Sequence, residues 1–258
     1  MKNHLFFTTL ALISLWCISA WAEMSPKEIV DKAIEVNERG LKKGKIKLRL
    51  VIAQSGATRE RVVVSKAMTQ NGLDRVKVQF IEPADVKGTT LLMIEQGGDQ
   101  EDLQYLFLPS RKKTKRISGS NKDAKFVGTD FTYADLENYD LKKGEYKKLA
   151  DQNYKGTDCY QIEIVPKNPD DFFYSKVVGL IDKQTFVPLK MDFFDKTDGA
   201  LLKILTVKKV EELKGNIIIT KAVMENVKEG SSTTMTIESY EPEATFDASE
   251  FDKENIEL

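Results

Sequence analysis

Apolar and polar positions along this chain follow two periods, and the change from one to the other divides it into elements. Over Ser25 to Arg39 the period is helical: Ile29, Val30, Ala33 and Ile34 recur on one stripe while charged residues fill the opposite face. Ser25-Pro26-Lys27-Glu28 reads as a capping box with serine as the cap, proline at the first helical position and glutamate at the third. Gly40 supplies a stop. From Lys45 the period becomes two. Ile46, Leu48, Leu50 and Ile52 alternate with Lys45, Lys47, Arg49 and Val51. The same alternation returns in Val76, Val78 and Phe80, in Leu103, Tyr105 and Phe107, in Tyr160, Ile162 and Ile164, and in Leu189, Met191 and Phe193.

Turn signals separate these runs: Ser55-Gly56, Asn71-Gly72, Gly97-Gly98, Lys155-Gly156, Asp198-Gly199 and Gly215-Asn216. Strands at hairpin spacing with no helical crossovers between them predict one antiparallel sheet. About ten or more strands fit, enough for the sheet to curl into a barrel or half-barrel. The chain is therefore expected to be mainly β, with an N-terminal helix and a short helical segment near Phe131 to Tyr139 free to cover the concave side.

The first residues follow neither period. Lys2 precedes an uncharged apolar run from Leu5 to Ile18 that ends at Ala20-Trp21-Ala22, the pattern of a cleavable signal peptide. Cleavage is expected after Ala22, leaving a single domain over 23–258. Trp16 before Cys17 argues against an acylated cysteine, because that position requires a small residue.

Composition narrows the chemistry. Hydrophobic residues make up 41% of the chain and charged residues 31%, with a formal net charge of -1. So balanced a chain offers no field to attract nucleic acid. The single histidine, His4, and one of the two cysteines, Cys17, fall in the leader. Without them no histidine remains for nucleophilic catalysis or metal binding, one cysteine cannot form a thiolate metal site, and no phosphate-binding glycine loop is present. No cofactor is expected. Cys159, between strand-forming neighbours, reads as a buried thiol. Acid pairs at Asp170-Asp171, Glu211-Glu212 and Asp99 with Glu101-Asp102 keep a carboxylate hydrolase open, although turn-like surroundings make them solvated surface. Arg111, Lys112, Lys113, Lys115 and Arg116 form the sharpest charge feature, five cations in six residues. They suit anionic lipid headgroups or an acidic partner; a charged hairpin that protects a sheet edge explains them equally.

Several stretches resemble the LolA-like outer-membrane lipoprotein-sorting family. They are Phe80-Ile81-Glu82-Pro83-Ala84-Asp85-Val86-Lys87-Gly88-Thr89-Thr90-Leu91, then Tyr105 to Pro109 with the basic run through Ile117, then Gly128-Thr129-Asp130-Phe131-Thr132-Tyr133-Ala134-Asp135-Leu136, and finally Gly179 to Lys190. Their order is that of the family and they run through most of the chain beyond the leader. The resemblance implies a curved antiparallel sheet around an apolar cavity, lidded by helices. It also implies companionship with transporters of the resistance-nodulation-division superfamily. The chain departs from the family's type member in its longer middle section and its basic hairpin.

Combining the alternating strands with that resemblance, Leu48, Leu50, Val78, Phe80, Tyr105, Phe107, Ile162, Met191 and Phe193 are expected to line a hollow, with Phe131, Tyr133 and Leu136 as a lid. A compact core built from the same side chains is the competing arrangement. Three functions follow. The first is a periplasmic carrier of lipid or lipoprotein acyl chains toward the outer membrane, partnered by such a transporter or by an outer-membrane acceptor. The second is a protein-interaction subunit of an exporter or envelope assembly complex. The chain is expected not to be an enzyme, so a carboxylate hydrolase ranks third, behind these two.

Overall fold

The computed structural model describes residues 23–257 apart from 99, 138–140, 142–143 and 169–171. The leader and its cleavage point, together with Asp99, Asp170, Asp171 and Tyr139, lie outside the described residues.

Helix α1 (Pro26–Arg39) starts where its capping box places it: the Ser25 hydroxyl accepts from the Glu28 backbone N–H, and the Glu28 carboxylate accepts from the Ser25 N–H at 2.7 Å. Its apolar stripe buries Ile29, Val30 and Ala33. Strands β1 (Gly44–Gln54), β2 (Ala57–Gln70), β3 (Leu73–Glu82), β4 (Thr90–Ile94), β5 (Leu103–Leu108) and β6 (Lys113–Ile117) form an antiparallel meander. A second meander contains β7 (Gly144–Lys148), β8 (Gln152–Tyr154), β9 (Thr157–Pro166), β10 (Tyr174–Asp182), β11 (Pro188–Asp195), β12 (Leu201–Leu213), β13 (Asn216–Asn226) and β14 (Ser231–Glu241).

Pairing of β1 with β14 joins the two meanders into one sheet of 14 strands. The sheet does not close: β6 and β7 are its edges, while β8 continues the β7 side of β9. Tight two-residue turns drive the hairpins. Ser55-Gly56, Asn71-Gly72 and Lys155-Gly156 adopt positive φ at both positions, which matches the right-handed twist of the strands they connect. The β12–β13 turn sits one residue before the place expected from Gly215-Asn216, at Lys214-Gly215, because Leu213 pairs with Asn216.

Two apolar clusters occupy the inner face. One joins α1 to β9, β10, β11 and β13 through Ile29, Val30, Ile162, Ile164, Val177, Met191 and Met224. The other gathers Leu50, Val63, Phe80, Leu91, Leu106 and Ile117 from the first meander. A third lies on the outer face, where Phe251 and Ile256 of the C-terminal segment pack on Leu92 and Phe107. Lys66 with Glu250, Arg75 with Asp252, and the Lys77 ammonium donating to the Asn255 carbonyl at 3.0 Å fix that segment in place.

Candidate functional site

Residues 118–143 connect β6 to β7 and so must travel from one free edge of the sheet to the other. The described part crosses the concave face in short 3-10 turns, Gly119–Asp123 and Phe126–Gly128, followed by turns through 137; the stretch from 131 to 137, expected within a short helix, is not helical. Inward polar side chains hold it at several points. Gln104 of β5 donates to the Tyr133 carbonyl at 3.0 Å. The buried Asp130 carboxylate accepts from Ser231 and Thr233 of β14 at 2.5 and 2.7 Å, and the Asp130 N–H donates to Thr233 Oγ1 at 2.9 Å. Asp135 accepts from Lys203 Nζ of β12 at 3.0 Å and from the Tyr174 hydroxyl of β10.

These anchors come from both meanders, so the segment bridges the inner face. Phe126 descends from it onto Phe80, with ring centroids 5.3 Å apart, and Tyr133 meets Phe126 edge-on at 5.7 Å. Aromatic contacts of this geometry add to the area that the rings remove from water.

Beneath this bridge and beside α1, the inner face encloses a cavity of about 460 Å³. That volume lies inside the range of small-molecule pockets, about 300–1,000 Å³. Val30, Ala33 and Ile34 of α1 form one wall; Ile46, Leu48, Leu50, Val76, Val78 and Met93 form the wall of the first meander; Ile162, Ile164, Ile181, Met191, Leu205, Ile218, Ala222, Met235 and Ile237 form that of the second. Gly179 also lies on the wall, and nothing stands within 4 Å of the position its Cβ would take.

Of the nine side chains expected in a hollow, Leu48, Leu50, Val78, Ile162 and Met191 are on this wall. Phe80 and Phe193 point inward but are packed into core, Phe80 against Phe126 and Phe193 against Tyr174 at 4.9 Å. Tyr105 and Phe107 stand on the opposite face, among Leu92, Phe246 and Phe251. The reversal on β5 has a physical cause: the C-terminal segment covers the outside of this strand, so both of its faces are dry. Gln104, which looks like a solvent-facing residue in the alternation, is fully buried inward because the bridge supplies a partner for its amide. The inward apolar residues of this strand are Leu106 and Leu108. Of the three lid residues, Phe131 and Leu136 reach the cavity wall; Tyr133 is buried in the cluster beside it.

The cavity is polar at one end. Glu38 and Lys42 at the end of α1, Asp74 at the start of β3, Glu95 after β4, Asp102 before β5 and Glu137 of the bridge all contribute to the wall. Lys42 binds Glu38 at 3.2 Å and Asp74 at 2.9 Å. Glu137 is almost wholly buried and pairs with Lys122 at 2.9 Å. Burial pushes its carboxyl above the usual carboxylate range, against the opposing pull of Lys122. Sequence reading placed Asp102 in solvated surface and singled out none of the others; the only available signal was acids bordering strands on one side of the meander.

Outside the cavity, Arg111, Lys112, Lys113, Lys115 and Arg116 are all exposed along the edge strand β6 and the turn before it. Among the described residues none of the five has an acid within ion-pair distance. Glu211 and Glu212 lie within β12 rather than in a turn, with Glu211 accepting from Thr220 at 2.7 Å. Cys159 is fully buried and burial pushes its thiol up. No group of histidine, cysteine and acidic side chains suited to a metal ion occurs among the described residues, and none of their helices is long and apolar enough to cross a membrane.

A family profile described as an uncharacterized protein family matches residues 72–258. No curated protein sequence matches the chain. Among solved structures, an outer-membrane lipoprotein-sorting protein domain from Vibrio parahaemolyticus superposes with a TM-score of 0.82 at 27% identity, covering 90% of this chain and 98% of its own. A DUF1329 family protein from Desulfovibrio piger gives 0.80 at 26% identity, with 90% and 98% covered. A LolA superfamily protein from Nitrosomonas europaea gives 0.70 at 18% identity, with 90% and 99% covered, a likeness of fold. With most of its length matched by that one profile, the chain belongs to the profile's family, and its fold is the LolA-like one shared with these structures.

Proposed function

We propose that the protein is a periplasmic carrier that takes an acyl chain of a lipid or lipoprotein into its cavity and passes it toward the outer membrane. The observation that carries this reading is the apolar space left between sheet, helix and bridge, which the surrounding side chains do not fill. Exposing an alkyl chain to water costs about 0.8 kcal/mol per methylene, so a long chain resists crossing an aqueous compartment by roughly 10 kcal/mol. Walls built from branched aliphatic side chains and methionine offset that cost without demanding one shape of guest. Release follows from a downhill order of affinities between donor, carrier and acceptor, a drive that needs no nucleotide and suits a sequence without a phosphate-binding glycine motif.

In this reading Leu48, Leu50, Val78, Ile162 and Met191 contact the alkyl chain, and Phe131 and Leu136 sit over it as part of the bridge. The apolar leader directs export, with cleavage after Ala22, and a transporter of the resistance-nodulation-division superfamily or an outer-membrane acceptor is the exchange partner. Likeness to the lipoprotein-sorting domain from Vibrio parahaemolyticus supports the direction of transport. Protein purified from cells without detergent, extracted with organic solvent and examined by mass spectrometry, is expected to yield lipid or acylated peptide. Protein that is consistently empty and takes up no fluorescent fatty acid sinks the reading.

The basic edge favours a second role for the same molecule. Five exposed cations on an edge strand and the turn before it present charge, together with the free backbone groups of the strand's open side, to a membrane surface or an acidic partner. If docking is the whole function, replacing Arg111, Lys112, Lys113, Lys115 and Arg116 with glutamine abolishes partner capture. A working cavity continues to take up lipid in the same variant.

A further inference from the structure

The acidic end of the cavity has no counterpart in a container for alkyl chains alone. Carboxylates of Glu38, Asp74, Glu95, Asp102 and Glu137 contribute to the wall, and Lys42 is the one cation among the described residues that does so. Lys42 is already engaged by Glu38 and Asp74. The C-terminus of α1 adds its partial negative charge at the same place, because Glu38 and Lys42 flank the last turn of the helix.

Glu137 supplies the independent observation. Its side chain is only 3% exposed, Oε2 accepts from Lys122 at 2.9 Å, and Oε1 is buried with no hydrogen-bond partner. A buried acceptor left unmade is costly, about 1–3 kcal/mol and more when charged, and such orphans mark places where a donor from outside completes the set. Here the orphan belongs to a residue of the cavity wall that lies close enough to Asp102 to feel its charge, and the same wall carries the aliphatic side chains Ile162 and Met191.

We propose that this end of the cavity receives the head of an amphiphile bearing an ammonium group with N–H donors, while its alkyl tail lies against the aliphatic walls. Glu137 Oε1 accepts a hydrogen bond from that head, and Asp102 and Glu95 supply the surrounding negative potential. A carboxylate head is repelled, and a hydroxyl head can donate to Glu137 but gains nothing from the surrounding negative potential. The assignment rests on the carrier reading and adds the class of cargo to it.

The test uses the chain from Glu23 onward and displacement of the apolar dye N-phenyl-1-naphthylamine at neutral pH. Dodecylammonium, dodecyltrimethylammonium, dodecanol and dodecanoate share one tail and differ in head. Dodecylammonium is expected to bind about tenfold or more tightly than dodecanoate, since a charge-assisted hydrogen bond replaces repulsion. The trimethyl head, charged but without N–H, falls between them. Glu137→Gln is expected to weaken dodecylammonium about tenfold and to leave dodecanol within about twofold. Adding a lysophosphatidylethanolamine of the same tail separates an aminophospholipid source from a simple amine, according to which binds more tightly.

Equal affinities across the four heads, or preference for the carboxylate, overturn the head-group assignment while leaving the carrier intact. So does a Glu137→Gln variant that weakens all four alike. Failure of the dye and every amphiphile to bind removes the carrier reading itself. Should Glu137→Gln fail to fold, the native series still decides, and Asp102→Asn is expected to reduce the same preference.

Discussion

Lys203 of β12 and Asp135 of the bridging segment form an ion pair of 3.0 Å in which the side chains are only 5% and 4% exposed. The Tyr174 hydroxyl lies between them, accepting from Lys203 at 3.0 Å and donating to Asp135, and the Asp135 carboxylate also accepts from the Thr132 N–H at 2.7 Å. One buried pair thus ties the bridge to two strands of the second meander. Lys203→Met is expected to destabilise the fold by about 3–5 kcal/mol, because it strands a buried carboxylate. Adding Asp135→Asn removes the stranded charge and should recover at least about 1 kcal/mol. Urea unfolding of both variants measures this, and losses that simply add would contradict it.

Filling the cavity separates binding from folding. Gly179 faces open space on the wall and does not need positive φ, so a larger side chain there meets no neighbour. Gly179→Leu is expected to keep or raise stability, by up to about 1 kcal/mol, since glycine in a strand sacrifices packing and chain entropy. Its uptake of a fluorescent fatty acid should fall at least about tenfold, a loss of about 1.4 kcal/mol or more of binding. Unchanged uptake would mean that the guest lies elsewhere.

On the outer face, Phe251 of the C-terminal segment is fully buried against Leu92 and Phe107, so Phe251→Ala should cost about 3–5 kcal/mol. Attachment of that segment also depends on pH. The Lys66 hydrogen bond holds the Glu250 carboxyl below its ordinary range. A carboxyl whose folded value is lowered favours docking above its unfolded value, and that contribution disappears as pH falls through the folded value. Hydrogen exchange over residues 246–257 should therefore accelerate in mild acid before the central strands exchange. Lys66→Met, which removes the partner, is expected to flatten this dependence.

Charge on β6 predicts salt-sensitive docking. Each cation near an anionic bilayer contributes about 1 kcal/mol at low salt, so the variant with glutamine at Arg111, Lys112, Lys113, Lys115 and Arg116 should lose most of its association with phosphatidylserine vesicles. Raising salt on the native chain should imitate it. Thermal stability should stay unchanged, because these side chains have no ion-pair partners among the described residues to lose. Equal vesicle binding by both proteins would assign the charges to protection of a sheet edge.

Much of the fold is legible from local pattern. The capping box at Ser25 sets the helix start, and the alternation from Lys45 sets a strand with Ile46, Leu48 and Leu50 inward. Glycine turns set the hairpins. These signals act between residues close in sequence, where backbone sterics and one wet face settle the choice. Tyr105 and Phe107 show where the pattern fails. Alternation identifies a face only when the other is exposed, and β5 is covered on both sides by segments distant in sequence.

Sequence alone determined the helix, the hairpins, the antiparallel class and the fact that residues 23–258 carry no histidine and a single cysteine. Tertiary structure decided that β1 meets β14, that the sheet stays open between β6 and β7, and that residues 118–137 cross its hollow. Gln104, Lys203, Ser231 and Thr233 are polar residues at inward positions of strands, and each reads as an anomaly until the bridge meets it. A buried polar group is tolerable only with a partner, and here the partner lies between 29 and 103 residues away, beyond the reach of any periodic signal.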